Sequence, residues 1–139
     1  MAKPLQKTNL HAWHVANNGR MVPFAGWEMP VQYPSGPVEE HRVTRTVAGL
    51  FDIDHMGQME VRGPDADAFV NHLTTYDARK MALYEAHYAL MCYPDGSVVD
   101  DIFIYKLPDE NGAVYYFIAI NAGNRHKDVQ WAPIQATGY

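Results

Sequence analysis

The feature that most constrains the fold is a pair of apolar, strand-forming runs separated by a strong turn signal. Residues 98–105 and Val114–Ile120 are rich in β-branched and aromatic side chains. Between them, residues 108–112 read PDENG, a composition typical of a turn. Strands joined by so short a connection pair antiparallel, because a parallel pair needs a long crossover. The sequence therefore predicts an antiparallel hairpin.

The rest of the chain supplies helices and further strands. Alternating polar and apolar residues predict a half-buried strand over residues 57–63, and residues 84–92 favour a strand with Tyr88 on one face. Helical spacing predicts one helix from residue 64 and another from residue 35 towards a stop at Gly49. Asn124 is predicted to cap a last helix towards Trp131. These elements together predict an α+β fold with an antiparallel sheet and flanking helices.

The segment 19–30 is predicted to be irregular, since it mixes Gly and Pro with bulky apolar residues. Its three large apolar side chains, Phe24, Trp27 and Met29, either plug an edge of the core or line a pocket. The aromatic residues Trp13, Trp27, Tyr115 and Tyr116 are expected to be exposed, which would favour self-association.

Length and composition exclude several classes of protein. A chain of 139 residues fits one domain, and its single cysteine excludes a disulfide scaffold or a zinc site built on several cysteines. The net charge of −5 argues against nucleic acid as the main partner. No apolar stretch is long enough to span a membrane, and residues 1–7 lack the apolar core of a secretory signal. The expected compartment is the cytoplasm.

Two adjacent aspartates, Asp100 and Asp101, interrupt the first apolar run. Because strand residues alternate between faces, Asp101 is predicted to share a face with Phe103 and Tyr105, and Asp100 to lie on the other. An unpaired carboxylate is costly to bury, so one interpretation leaves both aspartates solvated at the strand end. The other has one aspartate facing a pocket floored by the two aromatic rings, which would suit a flat, hydrogen-bonding heterocycle.

Other candidate groups favour structural roles. Asp54 beside His55 suggests an acid–histidine dyad, but sequence neighbours seldom face each other, so His55 is interpreted as structural. The His11-x-x-His14 spacing lacks a third ligand and is interpreted as a polar helix face. Cys92 is interpreted as a small core residue.

A series of collinear motifs extends over residues 5–131. Residues 21–33 read MVPFAGWEMPVQY. Further motifs are EEH at 39–41, AGLFD at 48–52, HMG at 55–57, VRGP at 61–64, VDD at 99–101, and a segment from Asn121 to Asp128. Together they resemble the aminomethyltransferase family, the T-protein of the glycine cleavage system.

The resemblance implies that this chain forms part of the folate-binding domain of the T-protein cloverleaf, an enzyme much longer than 139 residues. Residues 1–131 correspond to the N-terminal part of that domain, and residues 132–139 are a divergent tail, interpreted as following a truncation. The implied reaction moves an aminomethyl group from lipoylated H-protein to tetrahydrofolate, the co-substrate, and gives 5,10-methylenetetrahydrofolate and ammonia. The fragment alone is expected to be inactive.

The resemblance also assigns residues to the site. The essential carboxylate of the family corresponds to Asp101, in the catalytic role. The folate-contact positions correspond to Met56, Tyr88, Asp101, Phe103, Tyr105 and Asn121. From the residues alone, Met56 and Tyr88 could equally be core residues and Asn121 a helix cap.

Three positions depart from the family pattern: Asp54 replaces a usual Ser, Tyr76 a common Asn, and Ser97 a usual Gly. The first two leave room for a folate-dependent demethylase with a small methylated substrate. A non-catalytic folate-binding module is the alternative from another class, although retention of Asp101 argues against it.

Overall fold

The computed structural model describes residues 4–137 and Tyr139. These residues form six β-strands, four α-helices and one turn of 3₁₀-helix, Ala78–Lys80. In chain order the elements are α1 His11–Ala16, β1 Met21–Phe24, β2 Trp27–Pro30, α2 Pro37–Thr46, β3 Gly57–Val61, α3 Ala66–Leu73, β4 Ala86–Cys92, β5 Val98–Pro108, β6 Val114–Ile120 and α4 Arg125–Gln135. The chain divides into two compact units, residues 1–55 and 56–139. None of the helices in the described part is long and apolar enough to cross a membrane.

The segment predicted to be irregular is instead a hairpin in the first unit. Strands β1 and β2 pair antiparallel, with Phe24 opposite Trp27. The two residues between them, Ala25 and Gly26, have φ of 48° and 84°. Positive φ at both central residues is the geometry of the tight hairpin turn whose twist matches that of the strands. Proline is tolerated in these strands because a two-stranded sheet has only edges.

Burial in this unit differs from expectation in several places. Trp27 and Met29 are buried as a plug would be, but Phe24 is exposed. His14 is also buried, so the prediction of a polar helix face is wrong there. Its ring nitrogens bond the Tyr33 hydroxyl at 2.6 Å and the Asp52 carboxylate at 2.7 Å. A polar side chain can be buried at this position because both ring nitrogens have partners.

The second unit contains a four-stranded antiparallel sheet in the order β3-β6-β5-β4. The predicted hairpin is confirmed as β5 and β6, in which Ile102 lies opposite Ile120. The buried positions of α3 are the four that helical spacing predicts, Ala66, Phe69, Val70 and Leu73. With the inward-facing residues of β4, β5 and β6 they form the core.

Three further expectations are corrected, two about burial and one about the end of a helix. Tyr116, expected to be exposed, is fully buried, and its hydroxyl donates to Asp67 at 2.8 Å. Trp27 is likewise buried, whereas Trp13 is more than half exposed. Helix α2 ends at Thr46, before the predicted stop at Gly49. The rest of the predicted α+β architecture is confirmed.

Candidate functional site

The site is built on the first residues of β5, where a β-bulge precedes the regular alternation of side chains between the two faces of the sheet. Met91 pairs with Asp100 but Cys92 pairs with Val98, so Val99 is an extra residue on β5. Val99 and Asp100 are consequently both buried. From Asp100 onward the strand alternates, and Asp101, Phe103 and Tyr105 lie on the more exposed face.

Four aromatic rings form a continuous surface on this exposed face of the sheet. The ring of Phe103 lies 5.7 Å from Tyr88 and 6.3 Å from Tyr105, and Tyr105 lies 5.9 Å from Phe117. Tyr88 and Phe103 are each about half exposed. Phe117 was not among the predicted site residues. The period-two alternation of β6 places its ring on the face of the sheet away from its buried neighbour Tyr116. We refer to Tyr88, Phe103, Tyr105 and Phe117 as the aromatic surface.

Asn121 connects the exposed aspartate to the buried one. Its side-chain Nδ2 donates to Asp101 Oδ1 and to the Asp101 carbonyl, both at 3.0 Å, and to Asp100 Oδ1 at 3.2 Å. Its backbone N–H donates to Asp100 Oδ2 at 3.3 Å. Asn121 follows β6 directly, one residue beyond the Ile120 that pairs with Ile102. The strand register therefore brings Asn121 beside Asp101.

Asn124 also faces this cluster and does not cap α4. It occupies the N-cap position but makes no side-chain capping bond. Instead its Nδ2 donates to Asp100 Oδ1 at 2.7 Å. Burial acts to raise the pKa of Asp100, but the hydrogen bonds from Asp128, Asn124 and Asn121 outweigh burial and hold the pKa below its ordinary value.

Asp128 of α4 completes the buried part of the site. It is fully buried, and neither of its carboxyl oxygens has a hydrogen-bond donor among the described residues. Burial raises the pKa of Asp128 to about 7, and the neighbouring Asp100 acts in the same direction. Lys127 Nζ, 3.7 Å from Asp128 Oδ1, opposes that rise, while it donates to the Val99 carbonyl.

Tyr88 and Met56 flank Asp101 in different ways. Partial burial raises the pKa of the Tyr88 phenol, and the charge of Asp101, which accepts from the phenol, raises it further. Met56 is half-buried and immediately precedes β3, whose Gly57 pairs with Ile120. The register thus places Met56 at the same end of the sheet as Asn121 and Asp101.

This arrangement has the properties of an open half-site for a flat polar ring. The aromatic surface offers faces for stacking, and Asp101 offers a carboxylate to ring N–H donors. A groove of about 710 Å³ in the same unit is lined by other residues of β3, α3 and α4, and none of the candidate site residues lines it. Within the described residues, no cluster of three or more His, Cys, Asp and Glu side chains could hold a metal ion.

The remaining candidates make contacts of their own. Tyr76 stacks on His87, with ring centroids 4.0 Å apart, and its hydroxyl lies 3.1 Å from His87 Nε2. In the first unit, His55 packs edge-on against Phe24 at 5.7 Å, and its Nδ1 is buried without a partner among the described residues. Asp54 donates its backbone N–H to Asp52. The acid–histidine pair of this unit is Asp52 with His14, residues too distant in sequence for a motif to reveal.

Comparisons with known proteins point in one direction. The family described as GCVT N-terminal domain matches residues 10–137. An aminomethyltransferase from Symbiobacterium thermophilum is 50% identical over 131 residues, which are 94% of this chain and 34% of that protein. An aminomethyltransferase from Chlorobium luteolum is 44% identical over 135 residues, 97% of this chain and 36% of that protein. The chain thus spans about a third of the length of these relatives.

A solved structure agrees with the sequence matches. The crystal structure of glycine cleavage system aminomethyltransferase T from Bartonella henselae superposes with a TM-score of 0.85 at 31% identity. The superposition covers 97% of this chain and 36% of that one. The similarity therefore extends to the fold across nearly all of the chain.

Proposed function

The chain belongs to the GCVT N-terminal domain family, and from that premise we propose that it supplies the pterin-facing part of a tetrahydrofolate-dependent aminomethyltransferase. The activity, donor and partner of the whole enzyme are part of this proposal, because the chain spans only about a third of its relatives. In the proposed reaction tetrahydrofolate takes the methylene carbon of the aminomethyl group that the lipoyl arm of H-protein carries. The nitrogen of that group leaves as ammonia, the carbon–sulfur bond to the arm breaks to leave dihydrolipoyl H-protein, and 5,10-methylenetetrahydrofolate is formed.

The observation that carries the proposal is the position of Asp101. Its carboxylate stands on the aromatic surface and is held by Asn121 Nδ2 at 3.0 Å. A carboxylate beside exposed rings suits a ligand that is flat, apolar on its faces and rich in N–H donors at its edge. The pterin ring of tetrahydrofolate has these properties.

The residues of the site have three kinds of proposed role. Asp101 accepts hydrogen bonds from the pterin and holds the proton that moves during transfer, a general acid–base role worth about 10²–10⁴-fold in rate. Phe103 and Tyr105 pack against the ring, and Tyr88, Asn121 and Met56 border it. When bound, tetrahydrofolate supplies the nitrogen nucleophile that takes the one-carbon unit.

The donor is the part of the proposal with an open alternative. Asp54 and Tyr76 differ from the usual family residues, so a small methylated substrate of a demethylase is the competing donor, and a non-catalytic folate-binding module the competing class. Tyr76 is engaged with His87, and this contact gives no support to a change of donor. We therefore propose lipoylated H-protein as the aminomethyl donor.

The proposal is tested by calorimetric titration of the chain with tetrahydrofolate, for the wild type and for Asp101→Asn. Saturable binding is expected for the wild type, and the variant should bind at least about tenfold more weakly, because hydrogen bonds to a charged group contribute about 1.5–3 kcal/mol. Glu110→Gln is the matched control, since it removes one exposed carboxylate from the turn after β5. Equal affinities of wild type and Asp101→Asn, with both chains folded by circular dichroism, would contradict the assignment of Asp101.

A further inference from the structure

A fully buried carboxyl group, that of Asp128, lies next to the proposed site, and none of the roles assigned above involves it. Asp128 is buried on α4, and neither oxygen has a donor among the described residues. The nearest cation described, Lys127 Nζ at 3.7 Å, is beyond hydrogen-bond distance. An ionised carboxylate in this position would be desolvated, with the charge of Lys127 offsetting only part of the cost.

A proton on Asp128 removes this difficulty and creates a donor. A protonated carboxyl has one O–H group, and the acidic neighbour whose charge and hydrogen bonding raise the pKa of Asp128 is Asp100. Asp100 is itself nearly buried and accepts from Asn124 at 2.7 Å and from Asn121 at 3.2 Å. Two carboxyl groups that share one proton can be buried where two carboxylates cannot.

We propose that Asp128 is a positioning residue that keeps its proton, donates a hydrogen bond through it to Asp100, and so fixes Asp100 as the acceptor that orients Asn121 against Asp101. Asn121 is the connection, because the same Nδ2 group contacts the buried Asp100 and the exposed Asp101. The contacts around the Asp128–Asp100 pair are those of the ligand-free chain. Only the consequence for folate binding rests on the proposed function.

Loss of the proton should disturb this arrangement. Two negative charges would then face each other in the buried part of the site, and Asn121 and Asn124 would have to turn towards both. Among the described residues, the charged and titratable groups that face the pair include Lys127 from α4 and, around β5, Asp101 and the phenol of Tyr88 from β4. Lys127 already donates to the Val99 carbonyl, so its charge offsets the repulsion only in part.

The direct test is an NMR pH titration of the ligand-free chain. We expect the Asp128 carboxyl carbon to titrate near pH 7, and the side-chain amide of Asn121 to shift with the same midpoint. In Asp128→Asn, whose amide is a permanently neutral donor, the Asn121 signal should stay constant from about pH 6 to pH 8. His126→Gln is the control, because it removes a histidine from the same helix and should leave the titration in place.

Folate affinity gives the second readout. Asp128→Asn should bind tetrahydrofolate within about twofold of the wild type at about pH 6, whereas Asp128→Ala, which removes the donor, should bind about tenfold more weakly. Between about pH 6 and pH 8 the wild type should lose affinity and Asp128→Asn should not.

The outcomes separate the two proposals. An Asp128 carboxyl that is ionised throughout the range, or an Asn121 amide that shifts equally in Asp128→Asn, overturns the positioning role even if folate binds. A coupled titration of Asp128 and Asn121 in a folded chain that binds no folate supports the proton-sharing pair and contradicts the proposed function.

Discussion

Among single residues, Asp128 is also expected to make the stability of the fold depend on pH. Its ordinary pKa is 3.8 and its pKa in the folded chain is about 7, so between these values the native state holds a proton that the unfolded state has lost. The contribution of Asp128 is fully present below the unfolded value and is lost as pH rises through the folded one. The predicted fall is about 1.4 kcal/mol per pH unit within this window.

Urea unfolding of the wild type and Asp128→Asn between about pH 4.5 and pH 8 measures this fall. The difference between the two proteins removes the contributions of titrating groups that do not interact with Asp128. Asp100 has a lowered pKa and therefore acts with the opposite sign, losing its contribution as pH falls below its ordinary value of 3.8, outside the window. A difference in the free energy of unfolding that does not change with pH would show that Asp128 is ionised in the native state.

The sequence alone predicts the face of the strand on which Asp101 lies better than it predicts the hydrogen-bond partners that hold Asp101 in place. The face shared by Asp101, Phe103 and Tyr105 follows from strand alternation, which is local. The partners of Asp100 come from residues 21 to 28 positions later, and no spacing rule reveals them. For the same reason Asn124 was predicted to be a helix cap, a role that local sequence favours and tertiary contacts override.

At the scale of elements, Gly57 sets how closely β3 approaches β6. A Cβ atom at this position would lie 2.5 Å from Cγ1 and 2.7 Å from Cδ1 of Ile120, and 2.9 Å from Cβ of Arg125. Ile120 is fully buried and cannot move aside freely. Gly57→Ala is expected to lower the free energy of unfolding by about 1–3 kcal/mol, the usual cost of overpacking a core.

Gln58→Ala is the control for this substitution, since Gln58 is the next residue of β3 and is exposed. Its effect on urea unfolding should stay within about 0.5 kcal/mol. Because Met56 and Asn121 lie at this end of β3 and β6, Gly57→Ala should also weaken tetrahydrofolate binding. Wild-type stability of Gly57→Ala would mean that β3 approaches β6 less closely than the structure shows.

Elements were predictable where one periodicity prevailed. The alternation of β3, the apolar run of β6 and the helical spacing of α3 each indicate one structure, and each was predicted. The β1–β2 hairpin was missed because its turn is Ala25-Gly26 rather than the favoured Asn-Gly, and because Pro23 and Pro30 argue against strands. Positive φ at an alanine depends on the pairing of the flanking strands, and an alanine in the sequence does not indicate it.

At the scale of the whole molecule, family membership extends the interpretation beyond local patterns. Collinear motifs implied the T-protein fold, and the match over residues 10–137 together with a TM-score of 0.85 confirms it. The predicted boundary after residue 131 stays a prediction, and α4 runs across it to Gln135. No local rule predicts that the proposed site is an open surface, because openness depends on what surrounds the sheet.

The chain also presents an apolar segment after α2, which we expect to cause self-association. Leu50 is 99% exposed, and Val47, Phe51 and Ile53 are each more than half exposed. Sedimentation velocity over about 5–200 µM should show association that rises with concentration, because exposed apolar clusters of this kind drive contacts between copies. Leu50→Asp should shift the chain towards monomer, whereas Val38→Asp, at a similarly exposed residue in the first turn of α2, should have little effect. A wild-type chain that stays monomeric over the whole range would contradict the expectation.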